Sequence, residues 1–124
     1  MGAQLVRVGL LGASQIAPLA LIAPAAQRDD VEVVSVAARD PERAASFAAE
    51  HGIARVAATY DELILDPQID LIYNGLPPVF HAPLSVSAMK AGRHVLCEKP
   101  FAMNAGEARG MVETAQRTGR LCVE

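Results

Sequence analysis

The chain has no tryptophan, only five other aromatic residues, two cysteines and three histidines in 124 residues. With so few rings, a core has to be built from aliphatic side chains and alanine. Cys97 and Cys122 lie in the apolar runs Val95-Leu96-Cys97 and Leu121-Cys122-Val123. They read as buried, reduced strand residues of a cytoplasmic protein, not as a disulfide framework. His51, His81 and His94 show no ligand spacing with each other or with either cysteine, so no metal site is expected. Positive charge is also scarce: eleven Lys and Arg against fourteen Asp and Glu leave a net charge of −3. That balance offers no basic field for nucleic acid or an anionic membrane. Arg7, Ser14, Gln15, Arg28 and Asp29 interrupt the most apolar stretch well short of a bilayer span. The first residues lack a basic flank and a small-residue cleavage site, so no secretory signal is expected.

What is present is a regular alternation of short apolar runs with helical stretches, at a length that suits one domain. Strands are expected at Leu5–Leu11, Val31–Ala38, Arg55–Ala57, Ile69–Tyr73, His94–Glu98 and Leu121–Val123. Between them, helices are expected at Ile16–Ile22 with Pro18 in its first turn, and from Pro41, capped by Asp40, to Gly52. Further helices are expected at Tyr60–Leu65, at Phe80–Ala91 closed by Gly92, and from the Asn104 cap to Thr118 with Gly119 as its stop. Pro24 should end or kink the first helix. Strands alternating with helices imply βαβ units, a parallel sheet and helices on both faces. Six such strands fit the doubly wound Rossmann order 3-2-1-4-5-6 in a single α/β domain.

The turn after the first strand reads Gly9-Leu10-Leu11-Gly12-Ala13-Ser14-Gln15-Ile16-Ala17. A dinucleotide fingerprint needs one glycine where the chain turns tightly and another where the backbone meets the pyrophosphate. Gly12 takes the first place, Ser14 the second and Ala17 the third. Serine is small enough for the approach, and its hydroxyl can itself donate to phosphate, with Ala13, Gln15 and Ile16 completing the cradle. An ordinary strand-to-helix turn remains the alternative. The second strand ends Ala37-Ala38-Arg39-Asp40, without the carboxylate at Ala38 that would repel a ribose 2′-phosphate. Arg39 can pair with that phosphate and stack on adenine, which favours NADP with NAD as the alternative. Asp40 is most simply a helix cap, and Arg39 is otherwise a solvated loop charge.

The distal half is more specific. The fifth strand runs through Ala91-Gly92-Arg93-His94-Val95-Leu96-Cys97-Glu98-Lys99-Pro100, which puts one lysine at the crevice where open α/β sheets bind ligands. On its own, Lys99 reads as a solvated strand-end charge. Together with Ala37–Asp40, Asp66–Asp70 and Asn74-Gly75-Leu76-Pro77-Pro78-Val79-Phe80-His81, the segment resembles the glucose–fructose oxidoreductase / inositol dehydrogenase (Gfo/Idh/MocA) family, nearest its dihydrodiol dehydrogenase branch. The resemblance runs from Val8 to Glu124.

It implies an NAD- or NADP-binding domain of an enzyme that moves a hydride between nicotinamide C4 and a carbinol carbon of a sugar, polyol or diol. Lys99 would be the catalytic lysine, hydrogen-bonded to the substrate oxygen. Glu98 would lie beside the nicotinamide ribose, and Lys99–Pro100 is a candidate cis peptide. His81, Leu76 and Pro77 would shape the nicotinamide pocket, although a structural histidine at a helix start is the alternative for His81. The sequence departs from the family at Ser14 and at Pro78, where an asparagine is usual. Both departures bear on cofactor affinity.

The family's second α/β domain, which supplies further catalytic groups and usually the oligomer interface, has no counterpart in residues 1–124. The chain is therefore expected to be the cofactor domain of a longer enzyme and inactive alone. A short-chain dehydrogenase would need Tyr-x-x-x-Lys, but Tyr60 is followed four residues later by Ile64 and Tyr73 by Pro77. The competing reading is a non-catalytic nucleotide-sensing or partner-binding Rossmann module.

Overall fold

The computed structural model describes residues 4–124. Six parallel strands form one sheet in the order β3-β2-β1-β4-β5-β6. They are β1 (Val6–Leu11), β2 (Val31–Ala37), β3 (Arg55–Val56), β4 (Leu71–Asn74), β5 (His94–Cys97) and β6 (Cys122–Val123). This is the expected order. The neighbours of β1 are β2 on one side and β4 on the other, so the topology reverses between β1 and β4 and leaves a crevice at their carboxyl ends.

β1 is central, and Val8, Leu10 and Leu11 are fully buried. On one face of the sheet Leu10, Val36 and Tyr73 pack with Leu21 and Ala48. The opposite face joins Ile72 and Val95 to Leu63, Met89 and Met111. Those last three residues come from α3 (Tyr60–Leu65), α4 (His81–Lys90) and α5 (Ala105–Thr118). Gly9 makes this second layer fit. A Cβ there would lie 2.8 Å from both Ile69 Cδ1 and Leu63 Cδ2, closer than packed atoms tolerate.

The first helix departs from expectation. A π-helical turn, Pro18–Ile22, runs on into α1 (Ala23–Ala26), so Pro24 does not end the helix. Pro24 has no N–H, and its ring would collide with the Ala20 carbonyl in a regular α-helix. The wider turn removes the conflict, with the Ala23 N–H reaching back five residues to the Pro18 carbonyl. The second helix, α2 (Pro41–His51), begins at Asp40, whose carboxylate accepts from the Glu42 N–H, and ends at left-handed Gly52.

The fourth strand starts two residues later than expected and includes Asn74. Ile69 N–H is turned back onto the Asp66 carbonyl, and the Asp70 carboxylate accepts from the Arg7 N–H, so both residues belong to the entry turn. The helix expected from Phe80 begins as a 3-10 turn, Pro78–Phe80, and becomes α-helical at His81. No helix among the described residues is long and apolar enough to cross a membrane.

Candidate functional site

The first turn closes on Gly12, which has φ +95° and donates its N–H to the Ala37 carbonyl at 2.8 Å. A Cβ at this position would meet Leu76 Cδ2 at 3.1 Å and the Gly75 carbonyl oxygen at 3.2 Å. The turn is thus both left-handed and pressed against the loop after β4. Ser14 Oγ accepts from the Ala17 N–H at 3.2 Å, so the serine that stands where a second glycine is usual caps the helix behind it. Its hydroxyl hydrogen remains free to donate. The N–H groups of Ala13, Ser14, Gln15 and Ile16 meet no acceptor among the described residues. A row of unpaired amides beside a glycine turn suits an anion.

Arg43, from the first turns of α2, donates from Nη2 to the Ala13 carbonyl at 2.9 Å and so holds the cradle from outside. No sequence signal joins residues thirty positions apart, and this contact was not foreseen. Arg39 is exposed and forms no ion pair among the described residues. Asp40, by contrast, is occupied as the cap of α2. Both stand at the end of β2, apart from the residues grouped around β4 and β5.

The loop after β4 is organised by Asn74, which is fully buried. Its amide donates to Ser85 Oγ at 3.1 Å and to the His81 carbonyl at 3.3 Å, and its oxygen accepts from the Leu76 N–H at 3.3 Å. Sequence reading ended the fourth strand at Tyr73, just before this asparagine. Its function is to shape Gly75-Leu76-Pro77 from the protein interior. Leu76 is buried against Gly12, and Pro77 is exposed at the mouth.

His81 is also buried. Its Nδ1 lies 2.6 Å from the Pro100 carbonyl and its Nε2 lies 2.6 Å from the Leu76 carbonyl. A neutral imidazole has one N–H and satisfies one of these oxygens, whereas the imidazolium satisfies both. With both nitrogens engaged by main chain, His81 acts on the crevice through the two loops it joins.

At the end of β5, Glu98 accepts a hydrogen bond from the Tyr73 hydroxyl, and Lys99–Pro100 is a cis peptide, as expected. The Lys99 side chain is exposed and forms no ion pair among the described residues. It borders a cavity of about 350 Å³ shared with Tyr73, Leu96, Glu98 and Glu124. Burial, reinforced by the Glu98 carboxylate, raises the Tyr73 phenol well above its ordinary range. The tyrosine therefore stays protonated as a fixed donor. Burial also pushes the Cys97 and Cys122 thiols up to about 11. Both cysteines are free, and a raised pKa disfavours the nucleophilic thiolate.

The arrangement is that of a dinucleotide-binding α/β domain: unpaired amides at the first turn, with a cation two strands away on the same sheet edge. The chain belongs to the Gfo/Idh/MocA oxidoreductase family, NAD-binding Rossmann fold, whose profile matches residues 6–124. It is 41% identical over 113 residues to 1,5-anhydro-D-fructose reductase of Ensifer adhaerens, covering 91% of this chain and 34% of that one. It is 38% identical over 120 residues to trans-1,2-dihydrobenzene-1,2-diol dehydrogenase of Macaca fascicularis, covering 97% and 35%. A 3-ketoreductase from Actinomadura kijaniata, solved with NADP and TDP-benzene, superposes with a TM-score of 0.89 at 30% identity, covering 96% of this chain and 36% of that one. The chain spans about a third of the length of these relatives.

Proposed function

We propose that this chain is the NADP-binding domain of a longer oxidoreductase that moves a hydride between the cofactor and a carbinol carbon of a sugar, polyol or diol. The observation that carries the reading is Lys99, an ammonium without an ionic partner among the described residues at the end of β5, bordering a cavity that the Tyr73–Glu98 pair also lines. An ammonium there can hydrogen-bond a substrate oxygen and stabilise negative charge as it develops. When bound, the nicotinamide supplies the hydride chemistry. The free amides of Ala13, Ser14, Gln15 and Ile16 hold the diphosphate. Glu98, kept in place by Tyr73, accepts from the nicotinamide ribose.

The unpaired guanidinium of Arg39 supports NADP as the preferred cofactor, because a 2′-phosphate gives it a bidentate partner. A second α/β domain in the longer protein would complete the substrate site and carry the oligomer contacts. Two free, protonated thiols suit a reducing cytoplasmic setting.

Calorimetry with NADP and NAD on the chain, and on Arg39→Ala, tests the cofactor. NADP is expected to bind more tightly, and the substitution to weaken NADP about tenfold or more while sparing NAD, as losing a charge-assisted bond implies. Tighter binding of NAD, unchanged by Arg39→Ala, overturns the choice. Failure of both nucleotides to bind removes the oxidoreductase reading. Binding without turnover in the longer protein favours the sensing module instead.

A further inference from the structure

The peptide bond between Pro100 and Phe101 is gripped on both sides. Its carbonyl faces His81 Nδ1 at 2.6 Å, and its N–H donates to Glu124 Oε2 at 2.8 Å. The two groups lie at opposite edges of one rigid plane, so any rotation of that plane breaks both bonds. The other ring nitrogen of His81 lies 2.6 Å from the Leu76 carbonyl, so the buried imidazole spans the two loops. The loop after β4, the start of α4, the loop after β5 and the end of β6 thus form one brace across the mouth of the crevice.

Lys99 is the residue this brace would serve. On its amino-terminal side the chain is fixed by the sheet, with the Glu98 N–H on the Asn74 carbonyl at 3.0 Å. The N–H of Lys99 itself has only a long contact, 3.4 Å to Glu98 Oε1. The lysine side chain has several freely rotating bonds and no ionic partner to orient it, so the direction in which it leaves the backbone decides where its ammonium goes. The plane that follows Lys99 is the Lys99–Pro100 peptide, and it joins the braced Pro100–Phe101 plane through Pro100, whose ring locks φ, so holding the second plane limits how the first can turn.

We infer that Glu124 is a positioning residue for Lys99, acting through the Pro100–Phe101 peptide. Its importance for catalysis rests on the function proposed above. The brace itself does not, and can be measured without nucleotide. Glu124 reaches this plane from just past the last residue that pairs β6 with β5, where Val123 faces Leu96. Glu124 is exposed, and its side chain supports no core packing. Its carboxylate also borders the Lys99 cavity.

The test compares the full chain with Glu124→Ala and Glu124→Gln, the glutamine keeping an acceptor oxygen. Hydrogen exchange of the Phe101 amide, followed by NMR, is expected to be at least tenfold faster in E124A and near the original rate in E124Q. The chain has two lysines, Lys90 and Lys99, so Lys90 serves as an internal reference for labelling by an amine-reactive ester. The Lys99/Lys90 labelling ratio is expected to change severalfold in E124A and to be restored in E124Q. Unchanged amide dispersion elsewhere confirms that the fold persists. If E124A does not fold, the comparison moves to Glu124→Asp, whose shorter side chain withdraws the acceptor and is expected to speed Phe101 exchange. Phe101 exchange unaffected by loss of the carboxylate, or a constant labelling ratio, overturns the inference. Loss of NADP binding with the brace intact would count only against the cofactor reading.

Discussion

Tyr73, on the penultimate residue of β4, donates its phenolic hydrogen to Glu98, the first residue past β5. The two strands are neighbours, with Asn74 opposite Cys97, so the register that pairs them also sets this bond. The tyrosine is buried in the core on the α1 and α2 side of the sheet, and its hydroxyl meets the carboxylate at the end of β5. A core residue therefore fixes the orientation of a crevice carboxylate.

Tyr73→Phe keeps the ring and removes this bond. Loss of a hydrogen bond to a charged group is expected to cost about 2 kcal/mol, read from the urea midpoint at constant m-value. The bond also gives an alkaline dependence. Because the folded pKa is raised, its stabilisation is complete below the ordinary phenol value of about 10 and is lost as pH rises through the folded value. Phenolate absorbance should therefore still be rising above the ordinary phenol range, and Tyr73→Phe should abolish that late rise.

The acid limb should depend on His94. Burial, then the nearby Arg120 guanidinium, lowers its pKa, and Asp70 opposes them more weakly. Neutral His94 Nδ1 accepts the Leu121 N–H at 2.9 Å, a role that protonation ends. The unfolded chain takes up this proton near pH ~6.5, while the folded chain resists until lower pH. The stabilisation is therefore present above about pH 6.5 and lost as pH falls through the folded pKa. Tm between pH 7 and pH 5 should fall less steeply in His94→Gln than in the original chain.

Asn74→Ala would leave the Leu76 N–H and the Ser85 hydroxyl without their partner in a site closed to water. A cost of about 2–3 kcal/mol is expected, with Asn74→Asp at least as severe because it buries a charge in place of a donor. Chemical denaturation measures both. Since Asn74 shapes the loop against Gly12, NADP binding should weaken in any variant that still folds.

Gly12→Ala confronts two obstacles: the left-handed backbone, and contacts of 3.1 and 3.2 Å with the loop after β4. A loss of about 1–3 kcal/mol is expected in thermal or urea unfolding. Calorimetry should show NADP binding falling further than stability alone explains, because relief of the clash moves the free amides.

Much of this protein follows from local chemistry. Apolar runs separated by capped helices determine six strands and their alternation, because period, caps and stop glycines act within a few residues. Asp40, Gly52 and Gly119 occupy the predicted cap positions. The glycine turn and the Glu98-Lys99-Pro100 run are legible for the same reason, since each is a short segment whose chemistry depends on its own residues. The tertiary structure decided the rest. Pro24 is absorbed by a π-turn instead of ending a helix. Asn74 organises the loop after β4 from the interior, and Tyr73, Arg43, His81 and Glu124 reach across strands or helices to hold the crevice. These contacts join residues 19 to 30 positions apart, through strand register and packing that no local pattern encodes.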